Sequence, residues 1–299
     1  MPHVPVLLNE VIALLDPKPG EFIIDGTVDG GGHAAAIMER IAPQGIFLGV
    51  DWEKGMIGER IAAREARRGV RTRERYVCGN YADLPAILAK EKLGKADGLL
   101  LDLGFSSDQL ARSGRGFSFG EEARNEPLIM TYDDACPPVA EILRAQSEKE
   151  LADIIFSFGG ERLSRKIAKA IKEEGRKRPI VTSGELAEIV RGVVPKNYER
   201  GRIDPATRTF QALRIYANDE LGNLTRAIEN AQEVIKSGGR AVIISFQSLE
   251  DRIVKQSFQK SAKENKLKIL TKKPIVASRE EIARNPRSRS AKVRAALII

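Results

Sequence analysis

The chain of 299 residues has little of what metal centres and disulfide frameworks need. Only two cysteines occur, Cys78 and Cys136, without ligand-like spacing. They point to a reducing compartment, and to neither a disulfide framework nor a zinc site. The two histidines, His3 and His33, do not make a metal cluster by themselves, and no metal is expected. No apolar run approaches the ~20 residues that span a bilayer. The N-terminus, Met1 to Leu8, lacks a basic n-region and a cleavage site. A cytoplasmic protein with no membrane partner is the expectation. Repeats and low-complexity segments are missing as well. An acidic excess is also absent: 49 Lys and Arg stand against 41 Asp and Glu, a net charge of +8. That balance favours a polyanionic partner such as RNA.

What is present is an alternation. Strand-like runs fall at about 22–26, 46–50, 73–78, 98–103, 239–246, 266–271 and 292–299. Helical patterns separate most of them, at about 33–41, 54–67 and 83–92, after an initial amphipathic helix from Val4 to Leu15. Such alternation predicts an α/β fold, a mainly parallel sheet covered on both faces. Leu99-Leu100-Leu101 and Ala241 to Ile244 read as central strands buried on both sides. The alternation stops after Leu103 and resumes at Asp204-Pro205, where Asp204 can cap a helix. Between them lie a Gly/Ser/Phe-rich loop and helical candidates at 138–145, 148–157, 160–175 and 183–191. A block of that length is too long for a loop. It predicts an inserted helical domain over 107–204, with 1–106 and 205–299 forming the sheet domain. Two basic runs in the insertion, Arg162 to Lys166 and Lys172 to Arg178, suit either a solvated helix face or RNA.

The first strand ends in Asp25-Gly-Thr-Val-Asp-Gly-Gly-Gly-His33. Strand, glycine-rich turn and helix start form a nucleotide-type cofactor site. Asp51 ends the second strand, where an acid can accept hydrogen bonds from ribose hydroxyls. Asp102 ends the fourth strand and projects into the same crevice. Three carboxylates there would repel a phosphate-rich cofactor. They suit a ligand with hydroxyls, an ammonium and a sulfonium, which is S-adenosylmethionine. Tyr81 can cover the adenine or pack as a core aromatic, and Asp83 can reach the exocyclic amine or cap a helix. Ser248 with Asp251 resembles a capping box. Asn285 to Ser290, with Arg287 and Arg289, is a basic turn suited to phosphates. Arg208 and Arg214 can face RNA or pair with core carboxylates.

Together these motifs resemble the bacterial 16S rRNA cytosine-N4 methyltransferase family, RsmH, formerly MraW. The matching stretches are His3 to Leu8, Asp25-Gly-Thr with Gly30 to His33, Asp97 to Gly104 with Ser106-Ser107, Arg115 to Phe119, Pro205 to Ile215, Ser245 to Ile253 and Asn285 to Ser290. The resemblance implies a class I SAM-dependent, Rossmann-like fold with a seven-stranded, mostly parallel sheet and an inserted helical RNA-recognition domain. It implies methyl transfer to N4 of a decoding-centre cytidine of 16S rRNA in the small ribosomal subunit; the oligomeric state stays open, a homodimer being one option. The family's SAM contacts fall on Gly31, Gly32, His33, Asp51, Tyr81, Asp102 and Gln109. Asp102, and the Leu103–Ser106 turn including Ser106, are the candidate acceptors beside the reacting amine. Arg208, Arg214, Arg287 and Arg289 are the candidate RNA contacts. The chain departs from the family pattern at Gln247, where the family usually has His, and at Ile129 and Thr131, where it usually has Asp and Arg. A histidine base at position 247 is therefore not required. Other readings are a methyltransferase for another RNA base, a Rossmann oxidoreductase, or a non-catalytic RNA-binding assembly factor.

Overall fold

Short apolar runs bounded by turn formers become the strands of a single sheet. They are β1 (Phe22–Asp25), β2 (Ile46–Asp51), β3 (Arg73–Cys78), β4 (Ala96–Asp102), β5 (Ile235–Ser245), β6 (Leu267–Ile269), β7 (Ile275–Val276) and β8 (Lys292–Ile298). The computed structural model describes residues 4–52, 55, 57–58, 60–61, 72–103, 113–195, 198 and 203–299. The strand order is β3-β2-β1-β4-β5-β8-β6, with β7 paired to β8. β3, β2, β1, β4 and β5 run parallel, and β8 is antiparallel to β5, β6 and β7. The sheet thus has eight strands where seven were expected. The extra one, β7, is two residues long and too short to carry a pattern of its own.

Successive side chains of the central strands point to opposite faces. Ile24, Leu99, Leu101, Ala241 and Ile243 enter one core with Leu84, Leu224 and Ile228. Ile23, Leu100, Val242 and Ile244 enter the other, with Val11, Leu15, Ile37 and Ile41. Burial on both faces explains why these strands are continuously apolar.

The chain divides into two compact units, Met1–Phe105 with Leu221–Ile299, and Ser106–Glu220. The second boundary lies at Glu220, later than the expected Asp204. Asp204 is not the cap expected: it lies in the turn before the next helix, where its side chain accepts Ala206 N at 2.8 Å, and Ala206 is the N-cap. That helix, Thr207–Ala217, nevertheless buries Phe210 and Leu213 in the core of the second unit. Its partners there include Leu151 and Ile155 of helix Glu148–Gly159, Ile167 and Ile171 of helix Ser164–Lys177, and Leu186 and Val190 of helix Ser183–Val193. Two of these helices start with reciprocal capping boxes, Ser147 with Glu150 and Thr182 with Glu185.

Candidate active site

Because β1 to β5 run parallel, their carboxyl ends share one edge of the sheet. Asp25, Asp51 and Asp102 end β1, β2 and β4 there. β1 sits between β2 and β4, so the crevice opens where the chain's winding reverses. The turn after β1 is fastened to all three strand ends. Thr27 is the hub: its N and Oγ1 lie 3.1 and 3.4 Å from Asp25 Oδ1. Its Oγ1 also accepts Asp102 N at 2.6 Å. Asp29 N donates to Asp51 Oδ2 at 3.0 Å. Gly31 has φ +73°, a left-handed conformation that favours glycine, and a Cβ there would stand 2.5 Å from Arg60 Nη1.

His33 sits in the first turn of helix Gly32–Ile41 and is buried. Its Nε2 is 2.9 Å from Val6 O, which only accepts, so Nε2 carries a hydrogen. Its Nδ1 lies 3.4 Å from Asp102 Oδ2. His33 therefore bridges the N-terminal segment and the end of β4.

The electrostatics of the crevice are unusual. Burial, helped by the charges of Asp102 and Asp51, pushes Asp25 up to about 8 against the opposing Thr27 hydrogen bonds. Burial, with Asp51 and Asp102, likewise pushes Asp29 up to about 7, partly offset by Gly30 N and Arg287. Asp51 and Asp102 would repel a phosphate and stabilise a sulfonium or ammonium, while Asp25, which keeps its proton at neutral pH, offers hydrogen bonds in place of charge. The donor set therefore fits S-adenosylmethionine.

Tyr81 begins a short helical turn, Tyr81–Asp83, and is 6% exposed. It packs in the core with Leu84 and Leu101, and Trp52 meets it edge-on at 6.3 Å between ring centres. Tyr81 is thus packed as a core aromatic. The turn's cap is Asn80, whose side chain accepts Ala82 N at 2.8 Å, and Asp83 makes no such bond. Trp52 was missed by the sequence reading; its signal was a lone tryptophan directly after Asp51. Thr27 was also missed, because nothing in its spacing reveals a hub of tertiary hydrogen bonds. Ser106 and Gln109 lie outside the described residues.

The remaining expected residues divide. Arg287 and Arg289 are exposed on the turn Pro286–Ser290. Arg208 lies in the first turn of helix Thr207–Ala217. Arg214 belongs to an ion pair instead: its Nε and Nη2 lie 2.8 and 3.2 Å from the carboxylate of Glu220, which is 9% exposed. Of the basic runs, Arg162, Arg165 and Lys166 are exposed. Lys172 instead donates to the carbonyls of Leu143, Arg144 and Gln146, closing the helix Val139–Ala145. The capping box of helix Ser248–Lys263 falls one residue earlier than expected, on Gln247 and Glu250. Phe246 N and Gln247 N both donate to Glu250 Oε2, and Gln247 Nε2 to Oε1. Asp251 pairs with Arg294 at 2.7 Å. Thr131 is fully buried and holds Arg115, whose Nε donates to its carbonyl at 2.8 Å.

A family model, the MraW methylase family, matches residues 1–299. The chain belongs to the MraW methylase family. Its relatives in Syntrophus aciditrophicus and Trichlorobacter lovleyi, each named ribosomal RNA small subunit methyltransferase H, are 45% and 43% identical to it. The matches cover 98% of this chain and 96% and 97% of those proteins. A relative of the same name in Deinococcus deserti is 45% identical over 98% of this chain and 92% of its own length. This member of the MraW methylase family is accordingly a methyltransferase with S-adenosylmethionine as cofactor, and the acid-lined crevice is chemically suited to that donor. No helix among the described residues is long and apolar enough to cross a membrane.

Proposed function

We propose that this methyltransferase acts on 16S rRNA of the small ribosomal subunit, at N4 of a decoding-centre cytidine. The full-length similarity to small-subunit rRNA methyltransferases supports the substrate class. The observation that carries the chemistry is Asp102, buried at the end of β4 and held from two sides by Thr27 and His33. Its carboxylate is an acceptor beside the place where the methyl group is delivered.

Cytosine N4 is a weak nucleophile, because its lone pair is delocalised into the ring. S-adenosylmethionine supplies a methyl group on a sulfonium, which departs as the neutral thioether. The protein's task is to place N4 in line with that methyl, which can lower a barrier by ~7–11 kcal/mol in favourable cases. Transfer of that methyl would build positive charge on N4. Asp102 stabilises that charge by accepting an N4–H hydrogen bond, then takes the proton and passes it to solvent. His33 Nδ1 lies 3.4 Å from the carboxylate. The target base leaves its stack to reach the crevice. Arg208, Arg287 and Arg289 contact RNA phosphates, whereas Arg214 serves the fold through Glu220. The helical unit, with Arg162, Arg165 and Lys166 on its surface, recognises the RNA around the target.

The test is methyl transfer from labelled S-adenosylmethionine to purified small subunits, with wild type and Asp102→Asn. The variant is expected to lose at least about a hundredfold in kcat, the scale of one misplaced proton acceptor. Full activity at unchanged SAM affinity would contradict the role given to Asp102.

A further inference from the structure

The residues before Leu8 do more than lead into the first helix. Val4 to Leu7 form a strap pinned at both edges. On one edge, Val6 O accepts from His33 Nε2 at 2.9 Å. There the Pro5 ring also lies against the backbone of Gly32, so closely that a Cβ on Gly32 would stand 2.8 Å from Pro5 Cδ. On the other edge, Leu7 N donates to Glu281 Oε1 at 2.7 Å, and Asn285 Nδ2 donates to Val4 O at 3.1 Å. Leu7 is left-handed, φ +53°. A non-glycine residue persists in that strained conformation only where its surroundings over-determine it. The two anchors, Glu281 and Asn285, come from the other end of the chain, immediately before Arg287 and Arg289.

The contacts form a continuous line: Glu281 to Leu7, Val6 to His33, His33 to Asp102, Asp102 to Thr27, and Thr27 to Asp25. Every link but the first two lies within the cofactor crevice. The orientation of the His33 ring is set by the position of one carbonyl, Val6 O. That position is set in turn by the strap's anchors.

We propose that Glu281 and Asn285 are positioning residues for S-adenosylmethionine, acting through the Val4–Leu7 strap on His33. The proposal rests on reading the Asp25–His33 turn as the cofactor site, and is independent of which RNA base is methylated. Glu281 acts as a hydrogen-bond acceptor, so its charge is dispensable and glutamine replaces it. Asn285 acts as a donor, and aspartate does not replace it.

Calorimetric titration of the full-length protein with S-adenosylmethionine, without RNA, tests this. Glu281→Ala is expected to weaken binding roughly threefold to tenfold, the net worth of one hydrogen bond. Glu281→Gln should stay within about twofold of wild type, because the same acceptor remains. Asn285→Asp, which sets a carboxylate against Val4 O, should weaken binding in the same direction and gives a second route should Glu281→Ala fold poorly. The decisive readout is coupling. In a His33→Ala background, which itself weakens binding, Glu281→Ala should add nothing, as expected of residues in one line of contacts. A merely structural contribution from Glu281 would lower the melting temperature and leave the cycle additive. Unchanged affinity in folded Glu281→Ala, equal losses in Glu281→Ala and Glu281→Gln, or an additive cycle would each overturn the proposal. Unchanged affinity in His33→Ala alone would overturn the reading of the turn, and the strap's role with it.

Discussion

Asp25 should make this protein less stable as pH rises, and Asp25→Asn should remove that cost. The side chain is 1% exposed at the end of β1, and its carboxyl is pushed from 3.8 up to about 8, first by burial and then by Asp102 and Asp51. Below pH 3.8 the folded and unfolded chains both hold the proton, and the residue carries no pH-dependent penalty. Between there and about pH 8 the unfolded chain releases the proton while the folded one keeps it. Stability then falls with rising pH, by about 1.4 kcal/mol for each pH unit. At pH 7 the accumulated cost is on the order of 4 kcal/mol, and above pH 8 it no longer grows. Asparagine mimics the protonated acid: its carbonyl still accepts from Thr27, and its amide stands where the acid's hydroxyl was. The variant should match wild type near pH 4 and gain steadily towards pH 8. With about 2 °C per kcal/mol, the rise in melting temperature at pH 7 is roughly 8 °C. Scanning calorimetry of both proteins across this range, without cofactor, measures it. A difference that stays constant with pH, or a variant less stable at every pH, would refute the argument that Asp25 is buried as a neutral acid.

Two further substitutions separate fold from RNA recognition. Arg214→Ala leaves the buried Glu220 carboxylate without its guanidinium partner, and should destabilise the protein by about 3–5 kcal/mol without changing SAM affinity, measured by denaturation and calorimetry. Arg289→Ala, at an exposed position, should keep stability and SAM affinity. It should flatten the dependence of log K on log salt for RNA by about 0.7–0.9 per lost phosphate contact, read from titrations at several salt concentrations.

The strands that build the site were the parts most open to sequence reading. Ile23-Ile24 and Leu99-Leu100-Leu101 are apolar on both faces and end in carboxylates, so pattern and chemistry coincide at Asp25 and Asp102. The tertiary contacts of nearby residues stayed hidden. The hydroxyl of Thr27 links two strand ends, and His33 meets a carbonyl 27 positions away. Local signals also misled where two solutions satisfied the same rule. Ser248 with Asp251 and Gln247 with Glu250 both fit the spacing of a capping box, and packing of Asp251 against Arg294 decides between them. Asp204 shapes the turn before a helix, yet a turn says nothing of which core the helix joins, and Phe210 and Leu213 commit it to the helical unit. For Arg214, a sequence offers no way to weigh a phosphate against a carboxylate; Glu220, six positions on, had the prior claim.

The central claim concerns the acceptor atom. Small ribosomal subunits lacking the modification, incubated with the protein and labelled S-adenosylmethionine, yield rRNA that can be digested and separated by nucleoside. The account predicts label in N4-methylcytidine, from one position in the decoding centre. Label in a C5-methylated cytidine or on another base, or no transfer by protein that binds S-adenosylmethionine, would contradict it.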